Sequence, residues 1–180
     1  MTARQVEILL VEDNPDDVEL TLHALRKENL ANSIHVARDG EEALEFLFCS
    51  GNHADRSFER PPRLVLLDLK LPKVDGMEVL KRLKADVRTK TIPVVILTSS
   101  KEERDLINGY GLGANSYIQK PVDFEQFRDT IKNVGLYWLV INQLPVVNTL
   151  AQAASTKTND PAGYGIENAQ ATTPICKSGR

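Results

Sequence analysis

Asp68 stands where a carboxylate is costly to hold. The apolar run Leu64–Leu67 reads as a buried strand, and Asp68 follows it directly. An ionised carboxylate in apolar surroundings costs several kcal/mol unless it is partnered. Either Asp68 caps the next turn, or its position serves chemistry. Other strand-like runs also end on reactive types: Glu12 and Asp13, Thr98 and Ser99, and Lys120. Three carboxylates brought together repel by roughly 1 to 4 kcal/mol per pair at 4 Å. A hard divalent cation with oxygen ligands rewards that cluster, and Mg²⁺ suits a few carboxylates plus waters and a phosphoryl oxygen. Lys120 would add a fixed positive charge, and Thr98 a hydroxyl donor. The chemistry this set could do is nucleophilic. Asp68 would attack phosphorus and carry an acyl phosphate, with Mg²⁺ and Lys120 neutralising the transferring group.

These residues meet only if the chain folds in one way. Apolar runs of strand length alternate with segments of helical period. Strands are expected over Val6–Glu12, Ser33–Arg38, Arg63–Leu69, Ile92–Ser99 and Ser116–Lys120. Helices are expected over Asn14–Asn29, Gly40–Phe48, Gly76–Asp86, Glu102–Gly113 and Asp123–Asn142, the fourth frayed by its glycines. Asn14 reads as an N-cap and Pro15 as the first helical residue, with Asp16 and Asp17 at the positive helix end. Repeated βα units argue for an α/β fold, a parallel sheet with helices on both faces. A flavodoxin-like (βα)5 doubly wound sheet of strand order 2-1-3-4-5 sets the first and third strands side by side at the switch point. That order gathers Glu12, Asp13 and Asp68. The segment Cys49–Arg63 is polar and turn-rich and reads as a surface loop. The pattern collapses after Pro145, so a domain is expected over 1–145 and a mostly disordered tail over 146–180.

Composition narrows the classes. A formal net charge of −3 makes no electrostatic case for nucleic acid or anionic lipid. No apolar run approaches membrane-spanning length, and the start lacks a signal-peptide core, so a cytoplasmic protein is expected. Cys49 and Cys176 lie far apart and read as free thiols. His23, His35 and His53 show no metal-ligand spacing and read as surface or packing residues.

The motifs "LLVEDNP", "LLDLKLPKVDG", "ILTSS" and "YIQKP" occur in that order. Together they make the chain strongly resemble the receiver domains of two-component response regulators, over about Val6 to Asn142. The resemblance implies a signalling phosphoprotein rather than a metabolic enzyme, one that takes a phosphoryl group from a histidine kinase onto Asp68 in a phosphorelay. It also implies that the Lys70 carbonyl completes the metal shell, that Thr98 and Tyr117 form a coupled switch, and that the Lys120–Pro121 bond is cis. The response is expected at the face of the fourth helix, fifth strand and fifth helix. "NGYGLGANSYIQKPVDFEQF" and "LYWLVINQLP" further resemble stand-alone regulators that partner phytochrome-type histidine kinases and tend to form homodimers.

Two other functions share parts of this pattern. A haloacid-dehalogenase-type phosphatase would carry D-x-D after the first strand, whereas Asp68 follows the third and Lys70 stands two residues on. A flavodoxin would offer Ser, Thr and Gly to its phosphate, whereas "EDNPDD" is acidic. In the last helix, Phe124, Phe127, Ile131 and Val134 repeat at helical spacing and would dock it on the sheet. Tyr137, Trp138 and Ile141 lie beyond that stripe and are expected to form a dimer contact.

Overall fold

The computed structural model describes residues 7–27, 33–99, 103–120 and 123–143. The strands are β1 (Ile8–Val11), β2 (Ile34–Ala37), β3 (Leu64–Leu67), β4 (Val94–Thr98) and β5 (Ser116–Gln119). All their pairings are parallel, in the order β2-β1-β3-β4-β5. The helices are α1 (Pro15–Lys27), α2 (Gly40–Leu47), α3 (Gly76–Ala85), α4 (Glu103–Gly111) and α5 (Phe124–Leu136). This is the flavodoxin-like arrangement expected from the sequence. The expected tail, 146–180, and Pro121 lie outside the described residues.

The central strands are apolar at every position because both sheet faces are covered. Successive side chains point to opposite faces. Leu9, Val11, Val65, Leu67, Val94 and Ile96 pack with Ala43, Phe46, Val79, Leu80 and Leu83 of α2 and α3. Ile8, Leu10, Leu64, Leu66, Val95 and Leu97 pack with Val18 and Leu25 of α1 and Phe127 and Ile131 of α5. Each such buried side chain contributes roughly 1.5–3 kcal/mol.

Helix starts follow the acidic caps. Asn14 Oδ1 accepts the Asp16 N–H at 2.9 Å. Asp39, Asp75 and Asp123 cap α2, α3 and α5 in the same manner. The strands are shorter than the apolar runs, because residues beyond Val11 and Leu67 leave the ladder to build the strand-end loops. Two helix expectations change. α4 runs through Gly109 rather than fraying there, since a Cβ at Gly109 would lie 2.7 Å from Ile96 Cδ1. The bare backbone lets α4 approach β4. Phe124, expected to face the sheet, is exposed at the first turn of α5, next to its Asp123 cap.

Lys84 ties α3 to the start of β4. Its ammonium donates to the carbonyls of Ile92 at 2.8 Å and Lys90 at 3.1 Å, and to Asn115 Oδ1 at 3.3 Å. Burial pushes this ammonium down to about 8, against roughly 10.4 in an unfolded chain. Between those values the unfolded state binds more protons, so stability should rise with pH across that window. Lys84→Met should flatten the rise; urea midpoints measured from about pH 7.5 to 10 would show it. Among the described residues no helix is long and apolar enough to cross a membrane.

Candidate functional site

The sheet register builds the site. Ile8 pairs with Ile34 on one side and Leu64 on the other, and Val11 is level with Ala37 and Leu67. The next residues, Glu12 and Asp68, therefore leave the sheet side by side. Asp68 N–H still donates to Val11 O at 3.0 Å, and Lys120 N–H to Thr98 O at 2.8 Å. Carboxylate oxygens of Glu12, Asp13 and Asp68 lie within 4.8 Å of one another. Glu12 and Asp68 are buried, while Asp13 is exposed.

Lys120 holds this cluster together. Its Nζ lies 2.5 Å from Glu12 Oε2, 2.8 Å from Asp68 Oδ2 and 2.8 Å from Asp17 Oδ2. The repulsion expected among the carboxylates is thus offset by one buried ammonium at their centre. Burial works against the Lys120 ammonium, but its hydrogen bonds to Asp17, Asp68 and Glu12 outweigh that and hold it above the ordinary lysine range. Burial pushes Glu12 up to about 7 despite its bond to Lys120. One ammonium therefore does not satisfy all the carboxylates. Two buried oxygen donors beside an exposed third suit a hard divalent cation that keeps water and a phosphoryl oxygen in its shell.

Asp68 also caps its turn. Oδ1 accepts the N–H of Leu69 at 2.6 Å and of Lys70 at 3.2 Å, leaving Oδ2 to Lys120. Both readings of the sequence hold at once. Thr98 is buried at the last position of β4. Tyr117 on β5 pairs in register with Ile96 and packs against the α2–α3 side of the core. Its N–H donates to Tyr110 Oη at 3.3 Å.

Asp17 was read only as a helix-dipole residue, yet it is the third partner of Lys120. The signal was present in the acidic run "EDNPDD", which places it one helical turn past Asn14. The end of the chain's last helix also differs from expectation. α5 gives way to a π-helical turn over Tyr137–Ile141. Tyr137 and Ile141 are exposed as expected, at 49% and 62%. Trp138 is instead half-buried against the α1–α5 side of the core, edge-on to Tyr137 at 5.1 Å, and Leu139 is buried. The wider π turn directs Leu139 inward, and Arg63 Nη2 donates to its carbonyl at 2.8 Å.

Comparison with known proteins agrees with this geometry. The profile of the response regulator receiver domain matches residues 8–132. A probable methanogenesis regulatory protein, FilR2 of Methanothrix harundinacea, is 43% identical over 77% of this chain and 86% of its own. Response regulator Rcp1 of Synechocystis is 37% identical over 77% of this chain and 92% of its own. The crystal structure of Mn²⁺-bound Rcp1 superposes with a TM-score of 0.73 at 36% identity, covering 79% of this chain and all of Rcp1. Phosphorylated RcpA, a cyanobacterial phytochrome response regulator, superposes with a TM-score of 0.73 at 40% identity, covering 80% of this chain and all of RcpA. With the sheet order, the strand-end cluster and a match that runs from β1 into α5, the chain belongs to the response regulator receiver domains.

Proposed function

We propose that the chain accepts a phosphoryl group on Asp68 from a histidine kinase, in a Mg²⁺-dependent reaction, and signals in the cytoplasm. The observation that carries this is the meeting of Asp68 with Lys120, at 2.8 Å, inside an acidic cluster at the carboxyl edge of the sheet. A carboxylate oxygen of Asp68 forms a bond to phosphorus, the P–N bond of the donor phosphohistidine breaks, and the donor imidazole takes the electron pair. Lys120 balances charge on the incoming phosphoryl oxygens. Glu12, Asp13 and Asp68 would hold Mg²⁺, with the Lys70 carbonyl assigned to the same shell by family resemblance. When bound, the ion supplies a Lewis acid that draws charge from the phosphoryl oxygen. The likeness to RcpA supports a kinase of phytochrome type. Acetyl phosphate or phosphorylated kinase, with Mg²⁺, should label the wild type and leave Asp68→Asn unlabelled. Label persisting on Asp68→Asn would place the acceptor elsewhere.

Thr98 and Tyr117 are proposed to carry the response to the face formed by α4, β5 and α5. Thr98 is positioned at the strand end beside Lys120, and Tyr117 one strand over. Thr98→Ala should accept phosphate yet lose the accompanying change in shape. A phosphorylation-dependent change in amide exchange equal to that of the wild type would refute the coupling.

A symmetric dimer through the π turn is proposed on its exposed apolar side chains. Val140 and Ile141 are 64% and 62% exposed beside Tyr137. Since Trp138 packs partly inward, Ile141→Asp probes the contact better than Trp138→Ala. Sedimentation should show a dimer at tens of micromolar wild type and a monomer for Ile141→Asp; a monomeric wild type defeats the proposal.

A further inference from the structure

A second cluster of ligand-bearing side chains lies at the other end of the chemistry scale. β2 is the sheet's edge strand, and His35 sits within it. Glu42 comes from α2, and His53 from a 3₁₀ turn, Gly51–His53, inside the polar segment before β3. One ligand atom from each of these three residues lies within 4.8 Å of the other two. All three side chains are half-buried.

The site is built rather than incidental. The His35 ring stacks on Phe46 with centroids 4.3 Å apart and 13° between planes. That contact fixes the direction of its nitrogens. His35 Nε2 is buried and has no hydrogen-bond partner among the described residues, a costly state for an imidazole nitrogen. Its nearest anion is Glu42 Oε1 at 3.9 Å. Glu42 Oε2 accepts the Arg38 N–H at 2.8 Å, which orients the carboxylate and leaves Oε1 on the His35 side. The His53 ring stands edge-on to both His35, at 4.9 Å, and Phe46, at 5.2 Å. Its backbone is pinned, since His53 N–H donates to Ser50 O at 2.8 Å and Asn52 N–H to Glu45 Oε2 at 3.1 Å. The charges near His35 are Glu42, His53 and Arg56, whose guanidinium lies over the Phe46 ring. Arg56 opposes a bound cation, and the Glu42 carboxylate offsets it.

We propose that His35, Glu42 and His53 form a site for Zn²⁺ or a similar borderline divalent cation. Two imidazoles and one carboxylate are a common donor set for zinc, with water in the fourth position. Nitrogen donors favour such ions over Mg²⁺, so this site and the acidic cluster select different metals. Ligation would bring the three atoms closer by small side-chain movements and join the edge strand, α2 and the 3₁₀ turn. Glu42 already has the outer hydrogen bond that orients a ligand.

Calorimetric titration with Zn²⁺ tests the site in an Asp13→Asn/Asp68→Asn background, where the acidic cluster has lost two of its carboxylates. One equivalent should bind. His53→Ala and Glu42→Gln should each weaken binding by more than the roughly 10–100-fold typical of losing an outer partner. His53→Ala removes a half-buried ring outside the core, and circular dichroism will verify that it folds. Absence of Zn²⁺ binding in the folded background protein, or binding undiminished in both variants, overturns the assignment.

Discussion

Lys120→Met should destabilise the metal-free protein by about 3–5 kcal/mol, the range found when one partner of a buried ion pair is removed. The Lys120 side chain is 7% exposed, and those of Glu12 and Asp68 are 3% and 9% exposed. Methionine fills similar space, so packing is largely kept and the loss reports charge. Without the ammonium, Glu12, Asp17 and Asp68 face one another with no cation between them. Mg²⁺ should then return part of the stability, about 2.7 kcal/mol at a hundred times its dissociation constant. Phosphorylation of Asp68 should slow as well, because the phosphoryl oxygens lose a fixed charge. Urea unfolding with and without Mg²⁺ measures the first two effects. A loss below about 1 kcal/mol, unchanged by Mg²⁺, would show that the ammonium is not the electrostatic centre of the cluster.

Gly76→Ala should be nearly as damaging, for a steric reason. A Cβ at Gly76 would lie 2.1 Å from Asp68 O and 2.7 Å from Leu69 Cα. Both are backbone atoms and cannot swing aside. Gly76 N–H also donates to Leu69 O at 2.9 Å, so the start of α3 is fastened to the segment that presents the acceptor. Overpacking of this kind costs about 1–3 kcal/mol, and the backbone contact puts Gly76→Ala at the upper end. The strain would move Asp68 relative to Lys120, so labelling by acetyl phosphate should fall with stability. Gly111→Ala is the contrasting case. Nothing lies within 4 Å of a Cβ there, and it sits in α4. It should gain roughly 0.5–1 kcal/mol from helix propensity. Equal stability of Gly76→Ala and wild type in urea would refute the close approach.

The sheet was legible because its strands are buried on both faces and read as unbroken apolar runs. Each chemical group at a strand end then broke the run visibly: Asp68 after Leu67, Glu12 after Val11, Lys120 after Gln119. Asp17 was harder to see because it reaches Lys120 from a helix, where an acidic residue near the N-terminus already has a local explanation. Trp138 misled because helical spacing was extended at 3.6 residues per turn through a segment that changes its turn. His35 and His53 were invisible as a pair. One lies on an edge strand and the other on a short turn inside a segment that looked like plain loop, and no periodicity connects them.

The π turn has a consequence for how this surface can change. It holds one more residue per cycle than an α-helix, so Leu139 rather than Trp138 is fully buried. Deleting one residue between Tyr137 and Ile141 would return the segment to ordinary α-helical pitch and rotate everything beyond the deletion by about 100°. The Leu139 carbonyl would turn away from Arg63, and a different set of side chains would face outward. The length of this segment, and not only its composition, determines which apolar groups a neighbouring molecule meets. A change of one residue in length can rewrite that surface without substituting any side chain on it.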